Sequence, residues 1–292
     1  MYEAESVADD VFYPDEDAGS LHALASVSPG GSPRVAAAAQ AWLREGADRL
    51  LGRPAEATKT PGVVGSLVVA PGESDPLRAR PFSLPGWEAA LAAAGEHPVH
   101  VSVGVRSRRP NAPYTSADVT VARAGSATTW ARLIASATLG PGFDPTVDAD
   151  VWVRYLGDVL DTADPAYAQI SDRVGSEVNT ALDMFLRRSD VSVEESRTTL
   201  RGYAWVTVVP KELVERLGGV AALAESAAVS MVRPLSAGGA LLQATPTPAE
   251  FDGRALHRLF RLLAPVLPTG LPRALPGWEE LPVVIEDASA VR

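Results

Sequence analysis

Apolar and polar positions along this 292-residue chain follow two periods, and the two alternate from one end to the other. Period-two or continuous apolar runs, the mark of strands, occupy 21–27 (LHALASV), 62–70 (GVVGSLVVA), 99–105 (VHVSVGV) and 117–122 (ADVTVA). The last two read as a hairpin whose connecting loop carries Arg106, Arg108 and Arg109. Helical spacing predicts an amphipathic helix from Pro33 to about Leu51, with Val35, Ala39, Trp42, Leu43, Ala47, Leu50 and Leu51 on one face. Ser32 suits its N-cap and Pro33 its first position. Further helices are predicted over 84–95 (opened by Pro85, stopped by Gly95), 128–139 (Trp130, Leu133, Ile134 and Ala137 inward), 151–160 and 164–188. Residues 189–200 read as a polar connector and the best internal boundary.

Beyond the connector, 203–209 (YAWVTVV) is apolar on both faces, which predicts a central strand. Pro210 opens the helix KELVERL, and Gly218 and Gly219 supply a left-handed stop. A short helical turn follows, then strands over 227–233 and 240–245 joined by PLSAGG. The last helix, 248–263, places Phe251, Leu256, Leu259, Phe260 and Leu263 on its inner face. Arg254, His257, Arg258 and Arg261 fall at i, i+3, i+4 and i+7 on the outer face. A solvated face is the simpler account of that stripe, and a solvated loop of Arg106, Arg108 and Arg109; a partner-binding surface is the alternative for both. The pentapeptide LPGWE occurs at 84–88 and again at 275–279, which we read as a reused turn. The pattern implies an α+β fold: a mostly antiparallel sheet packed with amphipathic helices, with two similar α/β halves as one arrangement of it. It divides into an arm (1–18), an N-terminal α+β part (19–190) and a C-terminal α+β part (191–292), a single compact unit being the alternative.

Composition narrows the function more by exclusion than by indication. A chain of this length buries enough surface to need no staple, and with no cysteine it has no disulfide, thiol nucleophile or Cys-based zinc site. No apolar run reaches membrane-spanning length. The first 17 residues hold seven acids and no base, which is not a secretory signal and reads as a solvated arm or an acidic contact segment. The net charge of −10 argues against nucleic-acid binding and suits a basic protein partner. Gly30 and Gly31 precede a helix but lack the lysine of a phosphate loop, so they read as a capped turn. Asp144, Asp148 and Asp150 do not have calcium-loop spacing; Asp150 reads as the cap of the following helix. The histidines are His22, His97, His100 and His257, and no zincin, nucleophile-elbow, P-loop or dinucleotide pattern includes them or any other residue. Residue chemistry alone therefore names no catalytic residue, cofactor or metal.

One resemblance does carry a function. The segments RGYAWVTVVP (201–210), LGG (217–219), GGALLQATPTPAEFD (238–252) and LHRLFRLLAPVLPTG (256–270) resemble bacterial immunity proteins of polymorphic toxin systems. The similarity is to the immunity protein 52 family, with the related type VI immunity family beside it. Trp205, Gly218, Gly219, Pro234, Gly239 and Gln243 match the family-like pattern, and each has a structural explanation as well. The resemblance implies a cytoplasmic, non-catalytic α+β protein that binds and neutralises one cognate toxin, without cofactor. An acidic inhibitor suits a basic toxin such as a nuclease. Two alternatives stay open at this point: an assembly protein of a phage-like or contractile particle, and an enzyme whose site is assembled by the fold.

Overall fold

The computed structural model describes residues 19–27, 32–70, 77–95, 99–123, 130–173, 176, 179–189 and 191–291. The acidic arm, the Gly30–Gly31 turn and His97 lie outside the described residues. In chain order the strands are β1 (Ser20–Val27), β2 (Val63–Ala70), β3 (Arg80–Pro81), β4 (Val99–Ser107), β5 (Tyr114–Arg123), β6 (Ala131–Leu139), β7 (Pro165–Ser171), β8 (Val206–Val209), β9 (Met231–Pro234) and β10 (Ala240–Gln243). The helices are α1 (Ser32–Arg49), α2 (Pro54–Ala57), α3 (Leu84–Ala93), α4 (Val147–Leu160), α5 (Ala181–Phe185), α6 (Lys211–Arg216), α7 (Gly219–Glu225) and α8 (Gly253–Leu263).

All these strands join one sheet in the order β3-β2-β4-β5-β6-β1-β7-β8-β10-β9, and every pairing is antiparallel. The fold is α+β, as the pattern implies. The chain's first strand is the seam: β1 pairs β6 on one side and β7 on the other, so the sheet runs without a break from residues before 190 to residues after it.

Successive side chains of a strand point to opposite faces, and here they feed two cores. Val101, Val103, Val119, Val121, Leu133 and Ala135 meet the inner faces of α1, α3 and α4. The second core lies on the other face at the C-terminal end, where α5 to α8 and Val284 and Ala288 of the tail pack on β8 and β10. Val206 and Val208 face the first core and Val209 the second; Leu241 faces the first, Ala240 and Leu242 the second. These strands are thus covered on both faces, which explains why 203–209 reads as apolar throughout. Trp42 of α1 donates its indole N–H to the carbonyl of Ile134 (3.0 Å), and the Tyr155 hydroxyl of α4 donates to the carbonyl of Trp42 (2.9 Å). Gly46 lets α1 approach this closely: a Cβ there would come within 2.9 Å of Val119 and the Tyr155 hydroxyl.

Two predicted helices are corrected. Residues 131–139 form β6, whose buried Ala131, Leu133, Ala135 and Ala137 recur with period two. Residues 165–171 form β7, every residue of it buried, and among the described residues of the predicted 164–188 helix only 181–185 are helical. Both segments are rich in alanine, whose helix propensity is a weak prior that burial at the centre of a sheet overrides. The helix predicted over 151–160 starts at Val147, and its cap is Asp144 rather than Asp150: the Asp144 carboxylate accepts from the backbone N–H of Thr146 and Val147. The LPGWE at 84–88 opens α3 behind the N-cap Ser83, whereas at 275–279 it forms a turn with Gly277 at φ 83°.

Candidate functional site

The positions of the family-like pattern come together, and they build scaffold. Trp205 is fully buried just ahead of β8 and donates its indole N–H to the carbonyl of Thr245 (2.8 Å). Gln243, at the end of β10, lies opposite Val206 and Met231 and donates its amide to the carbonyl of Pro246 (2.9 Å). Gly218 and Gly219, at φ 89° and 85°, form the left-handed junction between α6 and α7. Pro234 ends the edge strand opposite Ala240. Gly239 sits where a Cβ would lie 2.8 Å from the carbonyl oxygen of Val209.

The two arginine-rich segments are not brought together. Arg106, Arg108 and Arg109 are exposed at the end of β4 and in the β4–β5 loop, and β5, β6, β1 and β7 separate β4 from β8. Arg254, His257, Arg258 and Arg261 stand on the exposed face of α8, whose opposite face buries Ala255, Leu259, Phe260 and Leu263. Asp252 caps this helix, accepting from the N–H of Arg254 and Ala255 at 2.9 Å each. Those two hydrogen bonds, that of Ala255 foremost, hold its carboxyl below the ordinary value. His257 Nδ1 lies 3.9 Å from Glu286, an outer-limit ion pair. The N-terminal half of α8 rises between two open grooves. One of about 400 Å³ runs past Val229, Thr245 and Pro246, and one of about 570 Å³ runs along the stripe itself; Arg254 and Arg258 line both.

Two buried polar features escape the sequence reading. Arg201, 2% exposed, donates through Nε and Nη2 to one carboxylate oxygen of Asp183 (3.2 and 2.9 Å), through Nη1 to the Ser26 hydroxyl (2.9 Å) and through Nε to Ser192 (3.3 Å). Its guanidinium lies 5.7 Å over the Tyr167 ring. Asp183 is held by the capping box of α5: Thr180 accepts from the Asp183 N–H, and the carboxylate accepts from the Thr180 N–H. Burial pushes the Asp183 carboxyl up, and Arg201 opposes it. The network clamps β1, β7, α5 and the 189–200 segment together. Its signal was present in the sequence as T-x-x-D at 180–183, a capping-box spacing. The second feature is His22 on β1, 3% exposed, with neither ring nitrogen partnered among the described residues. It borders a small polar cavity of about 20 Å³ with Gln169, Ser171, Asn179 and Tyr203. Burial lowers its pKa from 6.5 to about 4, so it is neutral.

The buried charges of Arg201 and Asp183 pair with each other, whereas the cations of α8 are exposed. Residues 181–276 match the model of the family TsiV, described as type VI immunity for VRR-NUC. The resemblance seen over 201–268 is thereby borne out, over a longer segment, and on the type VI immunity family of the pair. The fold is also that of the T6SS protein PA0821 of Pseudomonas aeruginosa. That likeness has a TM-score of 0.59 at 14% identity and covers 95% of this chain and 83% of that one. No curated protein matches in sequence. No helix among the described residues is long and apolar enough to cross a membrane.

Proposed function

We propose that this chain is an immunity protein that binds and neutralises a nuclease effector of the VRR-NUC class delivered by type VI secretion. The observation that carries the reading is the match of residues 181–276 to the type VI immunity family. That segment includes α5, the central strand β8 and all of α8. It works by affinity in the cytoplasm of the protected cell, with no cofactor and no covalent step.

The physical chemistry favours such a pair. A nuclease must carry basic surface to hold a polyanion, so a chain with net charge −10 is drawn to it within about a Debye length. Complementary fields raise the encounter rate, and a few desolvated anchors set the residence time. The acidic N-terminal residues are part of that field. Of the two basic segments, α8 lies inside the matched residues 181–276 and the loop carrying Arg106, Arg108 and Arg109 lies outside them, so we assign the contact to α8.

Co-expression tests the reading. The reading predicts that an adjacent reading frame encodes a larger protein ending in a VRR-NUC domain. Expressing that domain arrests growth and fragments cellular DNA; adding this chain restores growth, and the two proteins co-purify. Arrest that persists despite abundant, folded immunity chain sinks the proposal.

A further inference from the structure

Most arginines of the C-terminal half are already committed. Arg197 bridges Asp164 and Glu212, Arg216 donates to the carbonyls of Thr198 and Pro265, Arg233 pairs with Asp158, and Arg201 is buried on Asp183. On α8 the pattern reverses. The helix GRALHRLFRLL contains no acid, although a helix face that merely meets water interleaves opposite charges at i and i+4. Arg254 and Arg258 stand i, i+4 to each other, and Arg258 and Arg261 i, i+3, so each adjacent pair repels. Arg254 also sits in the first turn, where the helix dipole disfavours a cation. The nearest acid in sequence, Asp252, has one carboxylate oxygen on the backbone N–H groups of Arg254 and Ala255, and its other oxygen meets Arg254 Nε only at 3.9 Å, an exposed ion pair at the outer limit. Arg258 and Arg261 have no ion pair or hydrogen bond among the described residues.

A protein with 36 acids and 26 bases, Lys and Arg together, thus keeps a row of mutually repelling cations exposed on one of its best-anchored helices, against two local rules at once. Local rules broken with no more compensation than one exposed, outer-limit ion pair to Asp252 mark positions shaped for a partner. We infer that the outer face of α8 is the docking surface for an acidic surface of the effector protein, with Arg254, Arg258 and Arg261 as its anchors. This inference rests on the immunity reading above. The rigid helix fixes the spacing of the guanidinium groups, and each can take a carboxylate bidentately. The open groove of about 400 Å³ between Arg254, Arg258 and the Val229, Thr245 and Pro246 side gives room for the partner's chain beside the stripe. An arginine row of this kind also resists other partners, because a basic surface facing it is repelled.

The test measures affinity for the nuclease domain encoded beside this chain, in a catalytically dead form, using three variants of the full chain. One carries Arg254→Glu, Arg258→Glu and Arg261→Glu; a second carries Gln at the same positions; a third carries Arg106→Glu and Arg109→Glu. The expected result is a loss of at least about 100-fold for the Glu variant and about 10-fold for the Gln variant. The β4–β5 loop variant keeps wild-type affinity, and none of the three has a lowered melting temperature. The Gln variant guards against a fold disturbed by charge reversal. Wild-type binding that survives both α8 variants within about threefold overturns the docking surface and leaves the immunity reading standing. A wild-type chain that forms no complex overturns the immunity reading and this surface with it. A wild-type chain that self-associates through the stripe, and dissociates on charge reversal, also overturns the inference, since the occupant is then a second copy.

Discussion

Arg201 and Arg258 carry the same side chain in the same C-terminal part of the molecule, and their surroundings make them opposites. Around Arg201, two serines, one carboxylate and a tyrosine ring converge on a guanidinium that is 2% exposed. Around Arg258 there is solvent, a neighbouring arginine on either side and no described partner. The first arrangement fixes the fold; the second keeps a charge available. What an arginine does is set by whether its donors are already used, which residue type alone does not reveal.

Four perturbations separate fold from surface. The largest effect is expected at the buried end. Arg201→Ala leaves Asp183 uncompensated in the interior and should cost about 3–5 kcal/mol, read from the midpoint of urea unfolding. The second concerns His22, whose burial lowers its pKa from 6.5 to about 4. The unfolded chain takes up a proton as pH falls below 6.5, and the folded chain does so only near 4. Stability from this residue is therefore complete above pH 6.5 and lost on the way down, by about 2 kcal/mol at pH 5. His22→Leu should remove that slope in unfolding curves measured between pH 7 and 5, while slopes from carboxylates remain. Third, Gly239→Ala forces a Cβ to within 2.8 Å of the Val209 carbonyl oxygen and should cost about 1–3 kcal/mol. The smallest effect lies on α8. Arg254→Glu relieves repulsion and places an acid in the first turn, so it should stabilise the fold by a few tenths of a kcal/mol, roughly 0.3–1. A substitution that strengthens the fold and weakens the complex would sharpen the contrast with Arg201; one that unfolds the helix would erase it.

The same contrast explains how much could be read from residues alone. α8 was legible because its apolar face and its basic face follow one helical period, and α1 for the same reason. The double glycine ending α6 was legible because only glycine takes the left-handed turn cheaply. β6 and β7 were not: Pro165–Ser171 is buried on both faces, Ala131–Leu139 is buried on one face and half-buried on much of the other, and both use small residues that suit a helix equally well. Which face a residue meets there depends on pairing with β1, more than 100 residues away in sequence for β6 and more for β7. The Arg201 clamp was hidden for a related reason: Ser26, Asp183, Ser192 and Tyr167 are scattered along the chain and meet only after the sheet closes around β1. The arginines of α8 needed no such assembly. One helix lists them in order, but that Arg258 and Arg261 stay exposed without an ion pair or hydrogen bond among the described residues is a fact of the fold and not of the sequence.

The central claim is that this chain blocks a VRR-NUC nuclease by occupying it. The most direct measurement is DNA cleavage by a fixed concentration of the adjacent nuclease domain, titrated with purified immunity chain. The account predicts that activity falls in proportion to added protein and ends at equimolar ratio, with full activity returning when the complex is dissociated. Cleavage that continues at large excess contradicts it, and so does irreversible loss of activity at a small fraction of an equivalent, which would mean turnover and not occupancy.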